Sequence, residues 1–514
     1  MAGAIDTTRP PRLRQVLTAV VLATSIAALT SSIVGPAMPT IVGDLGGIDL
    51  LPWVVSATLL ALTVSTPLWA ALADRFGRRR PFQAAMLIFV AGALIAGLAP
   101  DMPTLIAARA IQGVGAGGLM VLAQVLIADV LPPRERGRYN GLIGAALLVP
   151  MVGGPVLGGA LVGAGEAGWR WCFLINVPIG VGVFLLNRRA LPADQGKVER
   201  PPFDWSGALT ITGAATTAML LLTLAGSAFS WGSAFSWGLG ATSLVLVVLA
   251  VHTQRRATAP ILPPWLFTRR TIALGTATAA LVGAAMYGAM IYLPQYLQLV
   301  IQLSPTASGM MMIPLILGLM ATLTFSGLLA SRTGHWKPCA LSGTALLALA
   351  FLLLAALDTE AGLLLVGTGI ALVGCGLGLV MQLLLIAVQN EAQENGTAAV
   401  TAAMTFFRSL GGALGVSVLG AVFTHRLREG IAAADEVTVP ARLGTDLELG
   451  TPEHVHALPT ELHRVVLEAL TLGMQGVFLA AACLAVLGMA TVLGMRTRRL
   501  RSAMVRDHQH GRNR

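Results

Sequence analysis

The sequence predicts an all-α polytopic membrane protein. Three observations lead to this class: 55% of the 514 residues are hydrophobic, only 11% are charged, and apolar runs long enough to cross a bilayer recur along the whole chain. A soluble domain carries about 25% charged residues. A transmembrane β-barrel would show short alternating segments instead of long runs. The same composition excludes disordered chains, disulfide-rich secreted scaffolds and collagen.

Fourteen runs satisfy the requirement of about 20 mostly apolar residues for a membrane helix. In chain order, these predicted spans 1–14 cover residues 16–38, 52–73, 82–100, 104–129, 140–163, 172–187, 206–226, 237–252, 272–300, 306–330, 338–357, 361–389, 398–425 and 470–495. Span 1 is too long for the apolar part of a signal peptide, and it is interpreted as an uncleaved helix.

The distribution of basic residues fixes the predicted orientation. Of the 34 Lys and Arg residues, 27 lie in segments that are inside when both termini are cytoplasmic, and five lie in the outer loops. Cytoplasmic loops carry such an excess in membrane proteins. The net charge of +10 is therefore attributed to topology, and no nucleic-acid partner is expected.

The chain also repeats itself at an offset of roughly half its length. Three pairs of positions align at nearly equal offsets: Asp74 with Ser331, Gly113 with Gly374, and Gly153 with Gly411. Parallel halves of six spans are a transporter architecture with the substrate path between them. The predicted organisation is an N-terminal six-span bundle at 1–190, a linker with spans 7 and 8 at 191–271, and a C-terminal six-span bundle at 272–514 that includes an outer loop at 426–469.

Six short motifs follow one another in the order of a known transporter family. They occupy residues 72–80, 109–115, 153–159, 169–178, 292–298 and 406–412. In these motifs the chain resembles the 14-span drug:proton antiporters of the major facilitator superfamily, the EmrB/QacA type. The resemblance implies the major facilitator fold, in which two six-helix bundles are joined here by two extra central spans.

The resemblance also implies a function. It is export of small hydrophobic or amphiphilic toxic compounds, including antibiotics, by proton-driven alternating access in a bacterial inner membrane. The expected partners are the small-molecule substrate, protons and the lipid bilayer, while a periplasmic adaptor is left open. No ATP-binding motif, catalytic constellation or metal-ligand spacing is present in the sequence, so neither enzyme activity nor a cofactor is expected. The alternatives are an exporter of an endogenous metabolite or lipid on the same fold, and a membrane enzyme or receptor.

Two motifs carry implied roles for particular residues. The inner loop between spans 2 and 3 and the inner end of span 4 form an implied conformational switch, in which Arg78 pairs with an acid and releases it on switching; its residues are Asp74, Arg75, Gly77, Arg78 and Asp129. The antiporter helix motif of span 5 is implied to pack closely on the other half; its residues are Gly154, Pro155, Gly158 and Gly159.

Polar residues inside spans are candidates for the transport path. They are Thr30, Arg109, Gln112, Gln124, Tyr287, Tyr292, Gln298, Gln382 and Arg408. Arg109 and Arg408 are the only basic residues well inside spans, where insertion of a charge costs ~2.5–3.5 kcal/mol or more. For Arg109, extension of the side chain toward the outer surface is an open alternative.

No predicted span carries an acid at mid-membrane depth, and Thr30 occupies the position at which the family commonly has an acid. We therefore expect neutral or weakly acidic substrates to be preferred over permanent dications. The proton would then be carried by a peripheral acid (Asp74, Asp129 or Asp44) or by the substrate itself.

Overall fold

The structure is a computed structural model of the 514-residue chain. It describes residues 11–34, 37–45, 51–131, 168–190, 203–224, 229–230, 232–303, 305–358, 362–392, 396–432 and 460–496, together with single residues and short runs between 139 and 165. Almost all of these residues are helical.

Long apolar helices dominate the described residues. Numbered in chain order, the helices are α1 Pro11–Ile33, α2 Met38–Leu45, α3 Leu51–Phe76, α4 Arg79–Gly97, α5 Met102–Val130, α6 Gly168–Leu174, α7 Asn176–Ala190, α8 Trp205–Leu224, α9 Ala234–Arg256, α10 Trp265–Thr268, α11 Arg270–Leu299, α12 Pro305–Met311, α13 Ile313–Thr333, α14 Lys337–Ala355, α15 Leu363–Glu391, α16 Thr397–Ala432 and α17 Thr460–Gly494.

Twelve helical stretches among the described residues are long and apolar enough to cross a membrane. They coincide with twelve of the fourteen predicted spans. Span 1 corresponds to α1, whose apolar stretch Gln15–Thr30 is shorter than the others. Most of span 5 lies outside the described residues. The count of fourteen therefore stays a prediction.

The chain divides into two compact units. The first comprises Met1–Arg269, Val388–Phe406 and Arg501–Arg514, and the second comprises Arg270–Ala387 and Phe407–Leu500. The main division falls next to the predicted boundary at 271, but residues 388–406, which were predicted within the C-terminal bundle, pack with the first unit. The reason is visible in the core, where the small side chains of Ala398 and Ala402 are buried in the hydrophobic cluster of the first unit.

In the first unit, α3, α4 and α5 pack tightly. Trp69 of α3 donates a hydrogen bond through Nε1 to the carbonyl oxygen of Val114 at 2.8 Å. The side chains of Phe82 and Phe89 are fully buried between α4 and its neighbours. At Gly115 a Cβ would lie 2.5 Å from the backbone nitrogen of Phe89, so only glycine permits this approach of α4 and α5.

Two inner turns, one in each unit, have the same backbone geometry. Gly77 between α3 and α4 has φ +83°, and Gly334 between α13 and α14 has φ +74°. Both values lie in the left-handed region that glycine adopts at little cost. The two glycines are related by the internal repeat, so the duplicated sequence has kept the same sharp turn.

One helix end in each unit is bound by a basic side chain in a similar way. Arg79, at the start of α4, donates to the carbonyl oxygen of Arg188 near the end of α7 at 2.5 Å. Lys337, at the start of α14, donates to the carbonyl oxygens of Leu493 at 2.9 Å and Met495 at 2.6 Å, at the end of α17. In both units a basic side chain therefore satisfies backbone carbonyls that a helix end leaves unpaired.

Both helices that flank the predicted outer loop at 426–469 continue into it. Helix α16 reaches Ala432, and α17 begins at Thr460. Side-chain pairs from Glu429 to His425 and to Arg426, at helical spacing, support the extension of α16. The residues between 432 and 460 lie outside the described part of the chain.

The two central helices form an antiparallel hairpin. Asp204 caps the start of α8 by accepting from the backbone N–H of Gly207 at 2.8 Å, and it also accepts from Gln254 of α9 at 2.6 Å. The amide oxygen of Gln254 in turn accepts from the N–H of Leu262. Most of the apolar side chains of α9 are exposed, as expected for a helix that faces lipid.

Candidate functional site

A three-residue ion-pair cluster lies at adjoining ends of three helices of the first unit, α3, α4 and α5. Arg78 donates through NH1 to Asp74 Oδ1 at 2.7 Å and through Nε to Asp129 Oδ2 at 2.8 Å. The sharp turn at Gly77 brings Arg78 back toward α3, so that one guanidinium bridges α3 and α5. The side chains of Arg78 and of the two acids are 26% and 37% exposed. The structure thus brings together Asp74, Arg78 and Asp129, which are three of the four charged residues of the implied switch.

The surroundings of Arg78 stabilise its positive charge. Partial burial alone would lower its pKa, but the carboxylates of Asp129 and Asp74 outweigh that effect and raise the pKa of the Arg78 guanidinium above its ordinary value. Arg75, the neighbouring candidate, lies with its guanidinium 5.3 Å from the centroid of the Phe76 ring. The charge pattern of the cluster is therefore one cation held by two anions.

Arg109 is buried inside the first unit and is 4% exposed. Its Nε donates to the carbonyl oxygen of Val54 at 3.2 Å, and NH1 donates to Gln112 Oε1 at 2.6 Å. The guanidinium also lies 5.9 Å from the centroid of the Phe173 ring. The alternative in which this side chain extends to the outer surface is therefore wrong, because its hydrogen bonds and its aromatic contact are all internal.

Thr30 belongs to a second buried polar contact of the first unit. Its hydroxyl lies 2.8 Å from Asn176 Oδ1 and 2.9 Å from the carbonyl oxygen of Ile26, and it can donate to either. The amide nitrogen of Asn176 donates to the carbonyl oxygens of Cys172 and Phe173. Thr30 is 2% exposed and Asn176 is fully buried, so this pair joins α1 to α7 rather than lining an open path.

The structure describes the packing of two of the four residues of the span 5 motif. A Cβ at Gly154 would collide with the side chain of Ser32, and a Cβ at Gly158 would collide with the carbonyl oxygen of Ile33. Both glycines therefore pack against α1 within the first unit, and the packing on the other half stays a prediction. The small residues serve close packing within one bundle. Pro155 and Gly159 lie outside the described residues.

In the second unit, Arg408 lies on α16 where that helix packs against α11. A Cβ at Gly283 of α11 would collide with the backbone of Arg408, and a Cβ at Gly412 would collide with the ring of Tyr287. Arg408 is half-buried, and within the described part of the chain no hydrogen bond reaches its guanidinium. Its electrostatic neighbour there is Tyr287.

The other predicted path residues differ in their surroundings. Tyr292 is bonded, donating to the carbonyl oxygen of Val416 at 3.1 Å, and so links α11 to α16. Gln382 on α15 has a buried amide nitrogen with no partner among the described residues, and the same holds for the amide nitrogen of Gln112. Gln124 and Gln298 are half-buried and make no hydrogen bond to the described residues.

Sequence reasoning missed a polar cluster at the outer end of the first unit. The indole of Trp169, which is fully buried, donates to Asp44 Oδ2 at 2.6 Å. Arg170 stacks on Trp169 with its guanidinium 4.5 Å from the ring centroid, and it donates to the carbonyl oxygens of Gly97 and Ala99 at the end of α4. The motif at 169–178 was the available signal, since it places a tryptophan and an arginine beside an apolar span.

The acidic, histidine and cysteine side chains are scattered over the described ranges. They contain no group of three or more His, Cys, Asp or Glu side chains that could hold a metal ion. The cysteines at 172 and 339 are buried among apolar neighbours, and that at 375 is half-buried.

Comparison with known proteins gives a consistent result. The family model described as Major Facilitator Superfamily matches residues 20–416. A Mycobacterium tuberculosis protein described as an uncharacterized MFS-type transporter is 36% identical over 490 residues, which cover 95% of this chain and 70% of that protein. The multidrug transporter protein MdtP of Bacillus subtilis is 34% identical over 412 residues, which cover 80% of this chain and 75% of that protein.

A solved structure shows the same fold at low sequence identity. The crystal structure of the human organic anion transporter MFSD10 matches with a TM-score of 0.64, covering 94% of this chain and 100% of that chain. The two sequences are 16% identical, so this likeness concerns the fold alone.

Proposed function

The chain belongs to the major facilitator superfamily, and from this premise we propose that it is a proton-driven exporter of small hydrophobic or amphiphilic toxic compounds, including antibiotics. Membership makes it a multi-pass membrane transporter of small molecules and not an enzyme. The export function and the proton coupling are the proposal. The multidrug transporter of Bacillus subtilis, similar over 80% of the chain, supports the substrate class.

The observation that carries the proposal is the cluster of Asp74, Arg78 and Asp129. Ion pairs of this kind break and form at modest free-energy differences, because both partners stay partly hydrated. Such a contact is suited to hold one arrangement of helices and to release it when the transporter switches. In our proposal these three residues stabilise one of the two access states when they are paired, and we call this cluster the latch.

We further propose the 14-span drug:proton antiporter type, in a bacterial inner membrane with both termini in the cytoplasm. The hairpin of α8 and α9 supports this type, since in the sequence it follows the first half of the internal repeat and precedes the second. Cysteine labelling tests the orientation. A cysteine at position 451 should react with an impermeant reagent from outside, and one at position 255 only from inside. An outside C-terminus would contradict the even number of spans.

The proton pathway is also part of the proposal. Among the described residues, the acidic residues of the candidate spans lie at helix ends rather than at mid-depth. Protons would therefore be exchanged at Asp74 or Asp129 on the inner side and at Asp44 on the outer side, or carried by the substrate. No cofactor is proposed.

The function is tested by growing an efflux-deficient bacterial host that expresses the chain, with a panel of anionic, neutral and cationic toxins. The native chain should raise the inhibitory concentration of several compounds several-fold. Arg78→Ala should abolish most of that gain. Arg255→Ala, which removes an exposed arginine at the inner end of α9, should not.

Membrane abundance of each variant is measured by immunoblot, so that loss of function is separated from loss of protein. Absence of protection against every compound would exclude drug export and favour an endogenous metabolite or lipid as substrate. Full protection by Arg78→Ala would exclude the latch.

A further inference from the structure

Arg408 lies near the middle of the membrane-spanning part of α16. It is the twelfth residue of a helix that starts at Thr397, which places it about 16 Å from the inner end at 1.5 Å per residue. The hydrocarbon layer is about 30 Å thick. Gly283 and Gly412 let α11 and α16 approach closely beside Arg408, so the stem of the side chain lies in the seam between the two helices.

Gln382 lies at the same height on the neighbouring helix. Helices α15 and α16 form an antiparallel pair whose register is given by the hydrogen bond from Gln389 to Thr401, at 2.8 Å. Two helical turns further from the inner surface, the same register places Gln382 at the depth of Arg408. The buried amide nitrogen of Gln382 has no partner among the described residues. The Gln382 amide on α15 thus lies at the depth of the Arg408 guanidinium on α16, which no hydrogen bond reaches within the described residues.

Tyr287 adds a third donor from α11. Its ring packs where a side chain at Gly412 would lie, one turn from Arg408, and it is the electrostatic neighbour of that guanidinium. The groups that lie at this depth are a guanidinium, an amide nitrogen and a hydroxyl. All three can donate, and the guanidinium and amide N–H groups cannot accept.

Resting on the proposed export function, we propose that Arg408, Gln382 and Tyr287 form a subsite that receives a carboxylate of the exported compound. An ionised carboxylate is acceptor-only, and its two oxygens match the planar fork of a guanidinium. The Gln382 amide and the Tyr287 hydroxyl supply further donors. The same donor set repels a quaternary ammonium group. The subsite therefore selects weakly acidic amphiphiles over permanent cations.

The test compares three probes that share one apolar body and differ in the head group: 1-pyrenebutyrate, 1-pyrenebutyramide and (1-pyrenebutyl)trimethylammonium. Uptake is followed by pyrene fluorescence in everted membrane vesicles energised by a proton gradient. With the native chain, kcat/KM should be at least about tenfold higher for the carboxylate than for the ammonium probe, because a hydrogen bond to a charged group contributes that much to binding.

Four variants separate the effect of the positive charge at position 408 from an effect on helix packing. Arg408→Met should lower kcat/KM for the carboxylate about tenfold or more while changing the amide about twofold at most. Arg408→Lys should keep part of the carboxylate preference, and Gln382→Leu should lower it severalfold. Arg428→Met, which removes an exposed arginine of the same helix, should match the native chain.

Three outcomes would overturn the proposed carboxylate subsite, and they differ in what they imply for the exporter function. Equal transport of the carboxylate and ammonium probes by the native chain would overturn the subsite and leave the exporter function standing. Equal losses for all three probes in Arg408→Met would assign Arg408 to helix packing and also overturn the subsite. Failure of the energised native chain to move any probe would overturn both the subsite and the proposed function.

Discussion

Replacing Asp129 by asparagine removes one charge from the inner ion-pair cluster while keeping an oxygen that can accept from Arg78. The Nε–Oδ2 distance is 2.8 Å, but the two side chains are 26% and 37% exposed, so water screens the attraction. Exposed pairs contribute 0.2–1 kcal/mol, and we expect about 1 kcal/mol at the upper end of that range. This corresponds to roughly a fivefold change in the equilibrium between access states.

The assay is a double-mutant cycle with Arg78→Gln, Asp129→Asn and the combined variant. Transport rate in energised vesicles and thermal stability in detergent are measured for each. We expect a coupling of about 1 kcal/mol in the transport data, because the second substitution removes nothing further once the pair is broken. Glu468→Gln, an exposed acid on α17, serves as the control and should leave both readouts unchanged. Strict additivity of the two single substitutions would refute the latch.

Two further predictions concern the first unit. Gly158→Ala should cost about 1–3 kcal/mol of stability because the added methyl group meets the carbonyl of Ile33, whereas Gly153→Ala, in open space, should be neutral in the same melting experiment; equal Tm values would refute the packing. Hydrogen bonds from the hydroxyl and backbone N–H of Thr104 lower the pKa of Asp101. The ionised Asp101 cap therefore stabilises the fold fully at pH values above the ordinary carboxyl pKa. This stabilisation is lost as the pH falls through the lowered pKa of Asp101. Asp101→Ala should therefore lower the Tm at neutral pH, and the difference from the native chain should vanish in acid; a constant difference across that range would exclude the ionised cap.

The spans could be predicted from composition because the bilayer imposes both length and polarity on every segment that crosses it. Twelve of the fourteen predicted runs coincide with long apolar helices among the described residues. Helix ends were less accessible to prediction. Helix α16 continues past its predicted end at 425 to Ala432, because charged pairs at helical spacing support a helix after the apolar run has ended.

The surroundings of the polar residues could not be predicted from the sequence. Thr30 and Asn176 are 146 positions apart, and nothing in their local patterns shows that α1 and α7 are neighbours. For the same reason the packing of Gly154 and Gly158 on α1 was not predicted, since a stripe of small residues shows close packing but not the identity of the packed helix. Asp74, Arg78 and Asp129 were accessible only through a resemblance to a family in which equivalent charges meet.

The basic side chains of Arg79 and Lys337, which bind carbonyl oxygens at the ends of later helices, have a consequence for biogenesis. Arg79 leaves the ribosome 109 residues before its carbonyl partner Arg188, and Lys337 leaves 156 residues before Leu493. In the proposed orientation, each is therefore already on the cytoplasmic side, as an orienting charge, when the helix that carries its partner carbonyl is inserted. That helix docks onto a site prepared earlier in synthesis. Neutralising either residue would then delay completion of one half without disturbing insertion of the other.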